Sequence, residues 1–126
     1  RSETDGDNGC VKGRVISMLD TRLYLLQRVT AMIMAPLVLL HLGVIIFAIQ
    51  GGLDSTEILS RTQGSLFWGS TYSLFVVTVS IHAAIGLRVV MFEWLKIRDP
   101  ALGGISWLLF AILMLTGLRA VFAVVA

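Results

Sequence analysis

The chain has 126 residues, enough for one domain, and a formal net charge of +2. Hydrophobic residues make up 56% of it and charged residues 14%, whereas an ordinary soluble domain carries about 25% charged residues. This composition excludes an ordinary soluble domain, and the small net charge gives no indication of a nucleic-acid partner.

The polar N-terminal segment covers residues 1–23 and precedes the first apolar stretch. Residues 1–15 are polar and contain glycine, which predicts a mobile tail, and residues 16–24 predict a short amphipathic helix that lies along the membrane interface. We do not expect a secretory signal peptide, because no small-residue cleavage site follows the first apolar stretch. Cys10 is the one cysteine, so an internal disulfide bond is excluded.

Three stretches without Asp, Glu, Lys or Arg predict a single transmembrane domain over residues 24–126. A membrane-spanning helix needs about 20 mostly apolar residues, and three uncharged stretches satisfy this requirement: residues 29–53, 62–87 and 100–118. The predicted fold is an all-α membrane protein with three transmembrane helices, at about residues 24–50, 65–96 and 105–126. Pro36 lies inside the first helix, where a membrane helix tolerates it, and the loop after that helix has room for a short helical turn.

Positive charge is distributed unevenly between the predicted ends of these helices. Five basic residues precede or open the first helix: Arg1, Lys12, Arg14, Arg22 and Arg28. Three more lie in or near the turn between the second and third helices: Arg88, Lys96 and Arg98. Cytoplasmic loops carry the excess of Lys and Arg. We therefore expect the N-terminus on the cytoplasmic or matrix side and the C-terminus, with the first loop, on the opposite side.

His82 lies near the middle of the second predicted helix. Ionisable groups are costly inside a bilayer, so each is a candidate functional residue. A neutral imidazole is a good ligand for haem iron, and Gly86 at i+4 allows a macrocycle or a neighbouring helix to approach closely. The alternative is a histidine that bonds across helices to a serine or a carbonyl, and the residues alone favour neither interpretation.

Glu93 and Trp94 end the second predicted helix, at the level where Arg28 opens the first. Glu93 follows His82 by eleven residues, or almost three turns, which places both on one helix face. Arg28 would bind a propionate or polarise a ligand carbonyl, or it would extend to lipid phosphates. Spacing alone favours a solvated helix end for Glu93, and Trp94 fits an aromatic belt.

Two further ionisable residues lie inside the predicted helices. His41, in the outer half of the first helix, is interpreted as a hydrogen-bond donor between helices in preference to a second metal ligand. Arg119 lies about two turns from the C-terminus and is expected to extend outward, with a contact to a cofactor carboxylate as the less favoured alternative.

Two segments of the chain resemble the small membrane anchor subunits of succinate dehydrogenase (succinate:quinone oxidoreductase, complex II). They are QRVTAMIMAPL at 27–37 and HAAIGLRVVMFEW at 82–94. The closer likeness is to the hydrophobic membrane anchor subunit, whose first helix opens with a Gln-Arg-x-Thr-Ala-like run. Its second helix reads His-x-x-x-Gly before an acidic–aromatic pair, and the companion cytochrome b anchor shares the His-x-x-x-Gly-x-Arg pattern. The resemblance covers about residues 22–96.

The resemblance implies roles for five residues. His82 would be an axial ligand of haem b, and Arg28 matches the arginine near the haem propionates and the quinone pocket. Glu93 and Trp94 stand where the family usually has Asp and Tyr, and an indole N–H donates a hydrogen bond but does not relay a proton. His41 fits two-haem relatives, in which a histidine of the first helix is a second haem ligand.

The function implied is that of a membrane anchor subunit, which helps to bind haem b and ubiquinone or menaquinone and to pass electrons from succinate oxidation to the quinone. The expected partners are a second anchor (cytochrome b) subunit, an iron–sulfur subunit, a flavoprotein subunit and the lipid bilayer. The expected location is the bacterial inner membrane, or the mitochondrial inner membrane in a eukaryote. The alternative is a haem-free structural anchor of a fumarate reductase-like or other membrane-bound enzyme.

Overall fold

The computed structural model describes the backbone of residues 3–52, 54–96 and 100–126, and the side chains from Asp20 onward in those ranges apart from Ser55. Within these ranges the secondary structure consists of four α-helices: α1 (Glu3–Gln50), α2 (Ser55–Thr62), α3 (Leu66–Trp94) and α4 (Ala101–Val125). Three helical segments are long and apolar enough to cross a membrane: Asp20–Gln50, Leu66–Trp94 and Ala101–Val125. The predicted all-α fold with three transmembrane helices is confirmed.

The first helix begins earlier than its sequence predicts. The backbone is helical from Glu3, so the predicted tail and lead-in helix are continuous with the first span. The segment that is long and apolar enough to cross a membrane runs from Asp20, close to the start near residue 24 that the sequence predicts. The stretch before the span contains glycine but no proline, and extending an existing helix avoids the cost of a new nucleus. The helix also continues through Pro36. The side chain of Cys10, those of the basic residues before Asp20, and residues 97–99 with Arg98 lie outside the described residues.

Capping side chains and left-handed glycines delimit the helices between α1 and α3. Gly52 has a φ of +93° and Gly64 a φ of +70°, a conformation that glycine adopts without steric cost. The Asp54 carboxylate accepts the Thr56 N–H at 3.0 Å and begins α2, which is the short helical turn predicted in this loop. The Ser65 hydroxyl accepts the Trp68 N–H at 3.5 Å and begins α3.

The middle span, α3, packs against both α1 and α4. It approaches α4 closely at Gly117, where a Cβ would lie 2.5 Å from Val76 Cγ1, so the helices need a glycine here. The Thr62 hydroxyl donates to the Val124 carbonyl at 2.9 Å, which ties α2 to the end of α4. The first loop and the C-terminus therefore share one end of the bundle, as predicted, while the membrane side of that end stays a prediction.

One stripe of α1 faces α3. Its less exposed residues recur at spacings of four and three: Leu23, Gln27, Thr30, Met34, Leu37, His41 and Val44. Side chains on the other faces are open, and Met32 and Leu39 are 75% and 72% exposed. In a membrane such apolar side chains face lipid or another subunit. Three polar residues lie on the stripe, Gln27, Thr30 and His41, and they therefore face α3 instead of lipid.

Candidate functional site

His82 is half-buried between α3 and α1, and both of its ring nitrogens meet the stripe of α1. Nδ1 lies 3.2 Å from the Thr30 hydroxyl oxygen, and Nε2 lies 3.4 Å from the Gln27 amide nitrogen. The Nε2 contact is long for a hydrogen bond, so this nitrogen is weakly held. A contact between helices, one of the two interpretations of His82, is present, but its partners are a threonine and a glutamine.

A groove of about 620 Å³ lies between α1 and α3, about one turn along α3 from His82, and it also touches Leu102 of α4. Its lining includes two charged residues, Asp20 and Arg88, together with Tyr24, Gln27, Gly86 and Phe92. A Cβ at Gly86 would lie 3.3 Å from the Gln27 amide nitrogen. The close approach expected at Gly86 is therefore made by the Gln27 side chain. The Oε1 atom of Gln27 is buried without a hydrogen-bond partner, which leaves this amide poorly satisfied.

His41 lies on the same stripe, eleven residues after Thr30, or about 16 Å further along α1. Its ring stacks on Phe75, with centroids 5.1 Å apart and an angle of 22° between the planes, and it meets Tyr72 edge-on at 6.3 Å. Nδ1 is buried without a hydrogen-bond partner. The preferred prediction, a hydrogen bond between helices, is not met at Nδ1, because aromatic rings of α3 surround the imidazole.

Arg28, Glu93 and Trp94 are all exposed. The Arg28 guanidinium donates to the Tyr24 hydroxyl at 2.9 Å and lies 5.7 Å from the centroid of the same ring. No hydrogen bond or ion pair joins Arg28 to Glu93 in the part of the chain that the structure describes. The sequence placed these two residues at one level, but the structure gives Arg28 a tyrosine partner on its own helix.

The remaining candidates lie apart from this site. Arg119 is exposed on α4, in accord with a side chain that extends outward. Among the described residues, no three His, Cys, Asp or Glu side chains gather into a group that could hold a metal ion.

Sequence reasoning did not single out Gln27 and Thr30, although both belong to the quoted motif. Their positions in the sequence could have identified them. Gln27, Thr30 and His41 stand at i, i+3 and i+14, which is the spacing of residues on one helix face. Polar residues confined to one face of an apolar helix indicate a face that is turned away from lipid. The residue that each would contact could not be read from this spacing.

A family model described as succinate dehydrogenase/fumarate reductase transmembrane subunit matches residues 12–119. The match spans most of the chain and includes His82 together with its two contacts on α1. No curated protein and no solved structure matches the chain significantly.

Proposed function

The chain belongs to the succinate dehydrogenase/fumarate reductase transmembrane subunit family, and from this membership we propose that it is an anchor of succinate:quinone oxidoreductase that holds haem b through His82. Members of the family typically bind haem and quinone. Membership also implies a membrane complex with soluble subunits. In the proposal these are an iron–sulfur subunit and a flavoprotein subunit, beside a second anchor (cytochrome b) subunit. The membrane is the bacterial inner membrane or the mitochondrial inner membrane.

The observation that carries the proposal is the arrangement around His82 Nε2. This nitrogen has one long contact, 3.4 Å to the Gln27 amide, and the same amide occupies the space left open by Gly86. Because Gln27 Oε1 is buried and unpaired, displacing this side chain costs little hydrogen bonding. The residues therefore fit a flat macrocycle, which would displace the Gln27 amide and would be held by His82 Nε2 together with a histidine of the second anchor.

Bound haem would supply a one-electron redox centre inside the membrane. The part played by this chain is to bind and orient it. His82 provides a neutral nitrogen donor, Gly86 allows close approach, and the apolar faces of α1 and α3 exclude water. Low polarity around a haem is one of the means by which a protein sets its reduction potential.

The quinone, ubiquinone or menaquinone, is proposed to bind at the end of the groove near Tyr24 and Arg28, on the side where Glu93 and Trp94 end α3. A guanidinium keeps its charge at physiological pH and stabilises negative charge that develops on a quinone oxygen. Arg28 is exposed and hydrogen-bonded to a neutral hydroxyl, so its charge is not compensated by that partner. The Trp94 N–H would donate a hydrogen bond, and the Glu93 carboxylate would exchange protons with water.

The proposal assigns one haem. His41 is the candidate for a second, but its ring is stacked on Phe75 and meets Tyr72, so a second haem would have to displace aromatic contacts. The measured ratio of haem to protein separates the two cases, since two haems per complex would assign a ligand role to His41.

The rival function is a haem-free structural anchor, and the contacts of both His82 ring nitrogens with α1 are what favour it. Visible spectra of the purified complex, oxidised and then reduced with dithionite, distinguish the two. We expect the α and β bands of a low-spin haem b in the reduced sample, together with succinate:quinone activity. A spectrum without haem bands in an active complex would establish the structural anchor.

A further inference from the structure

We propose that Thr30 is a positioning residue for His82: its hydroxyl oxygen accepts the Nδ1–H of the imidazole and so leaves Nε2 as the nitrogen that can bind iron. The inference rests on the proposed haem function and assigns a task to a residue on the opposite helix.

The Thr30 hydroxyl carries a single proton. The oxygen lies 2.8 Å from the Leu26 carbonyl and 3.0 Å from the Gln27 carbonyl, and both groups can only accept. The hydroxyl proton is therefore donated to the backbone of α1. The oxygen faces His82 Nδ1 at 3.2 Å with a lone pair, so Nδ1 carries the proton of this contact.

A neutral imidazole has one N–H, so a proton on Nδ1 leaves a lone pair on Nε2. The contact on the other side of the ring agrees with the same tautomer. Nε2 faces the amide nitrogen of Gln27 at 3.4 Å, and an amide nitrogen can only donate. Two independent groups of α1 thus favour one tautomer, the one in which Nε2 can donate its electron pair to a metal.

Thr30 is also held firmly enough to orient a ring. It is 4% exposed, and its oxygen has two contacts to its own helix besides the contact to His82. Histidines that bind metals commonly donate their other N–H to an acceptor that fixes the ring and raises its basicity. Here that acceptor is a neutral hydroxyl from a neighbouring helix.

Three variants in the purified complex test the assignment. Thr30→Val keeps the shape of the side chain and removes the hydroxyl, Thr30→Ser keeps the hydroxyl and removes the methyl group, and Thr30→Ala removes both. Thr78→Val is the matched control, because Thr78 is 3% exposed and donates its hydroxyl proton to the Leu74 carbonyl of its own helix at 2.7 Å. The measurements are haem retention against a competing haem-binding apoprotein, the ferric EPR g-values and the haem reduction potential.

We expect Thr30→Val to weaken haem retention roughly 10- to 100-fold. Its EPR g-values should shift and its reduction potential should rise, because a histidine without an Nδ1–H acceptor donates less electron density to ferric iron. Thr30→Ser and Thr78→Val should resemble the unmodified complex. If Thr30→Val fails to assemble, the comparison of Thr30→Ala with Thr30→Ser takes its place.

The inference is overturned if Thr30→Val leaves retention, g-values and potential unchanged. It is equally overturned if Thr30→Ser is more damaging than Thr30→Val, since that order indicates packing by the methyl group. His82→Leu separates this failure from failure of the proposed function. If His82→Leu loses haem while Thr30→Val is unaffected, only the role of Thr30 is refuted. If His82→Leu retains haem, both the proposed haem-binding function and the role of Thr30 are refuted.

Discussion

The two histidines of this chain lie at opposite ends of the same helix interface, and their surroundings differ in kind. At the near end, toward the start of the first span, His82 of α3 meets a hydroxyl and an amide of α1. At the far end, His41 of α1 meets two aromatic rings of α3. The facing helix therefore decides what surrounds each imidazole. Under the proposed function, pairing through Nδ1 leaves His82 Nε2 to bind metal, whereas the His41 ring packs among aromatic side chains.

The grooves at the two ends of the interface have nearly the same volume. The near groove measures about 620 Å³, and the far groove, which includes Phe47, Glu57 and Arg61, about 630 Å³. The arginines Arg61 and Arg28, one near each end, differ in their partners. At the far end Arg61 is paired with Glu57 at 2.7 Å and lies over the Phe47 ring at 4.9 Å, so its charge is already compensated. At the near end Arg28 is hydrogen-bonded to a neutral tyrosine, which leaves its charge for the proposed quinone.

The largest effect is expected from exchanging each histidine for leucine in the purified complex. His82→Leu should lose the haem, because no side chain of similar reach replaces Nε2, while His41→Leu should retain it, because leucine preserves apolar contact with Phe75. The measurement is the haem-to-protein ratio with the reduced visible spectrum. Haem retained in His82→Leu would refute its ligand role, and haem lost from assembled His41→Leu would show that the far end also binds haem.

A smaller effect is expected from the two arginines. Loss of one charged hydrogen bond to the quinone costs about 1.5–3 kcal/mol, so Arg28→Ala should lower succinate:quinone turnover roughly tenfold to hundredfold. Succinate oxidation by a soluble artificial acceptor should stay nearly intact. Arg61→Ala is the control, because an exposed salt bridge contributes little. If both activities of Arg28→Ala fell together, the residue would serve assembly, and the near-end quinone site would lose its main support.

The smallest effect is expected from two glycines. Gly86→Ala places a methyl group where the haem is proposed to approach, and mild overpacking of about 1 kcal/mol corresponds to roughly fivefold weaker haem retention. Gly43→Ala is the control, because a Cβ there meets nothing within 4 Å and gains the same helix propensity. Equal haem retention in both variants would show that Gly86 does not border the haem.

The sequence predicted the spans well and their ends less well. Uncharged stretches indicate spans directly, because lipid excludes charge and an unpaired backbone, and all three were found close to the expected positions. The start of α1 was missed because polarity marks where a span leaves the membrane and does not mark where a helix stops. α4 begins at Ala101, before the predicted start at residue 105, since a helix accommodates Gly103 and Gly104 in its first turns.

The sequence alone determined that the chain lies in a membrane and that His82 is a polar exception in an apolar helix. The residues that face that histidine could be identified only from the packing of the helices. Which turn of α1 lies opposite His82 depends on the rotation and the offset between two helices, and these depend on packing along the entire interface. Thr30 rather than a serine meets Nδ1, because contacts between helices are set by the packed bundle and not by spacing within one helix. The contact of Arg28 with Tyr24 is different, since the two residues are four apart on α1 and their spacing within that helix allows it.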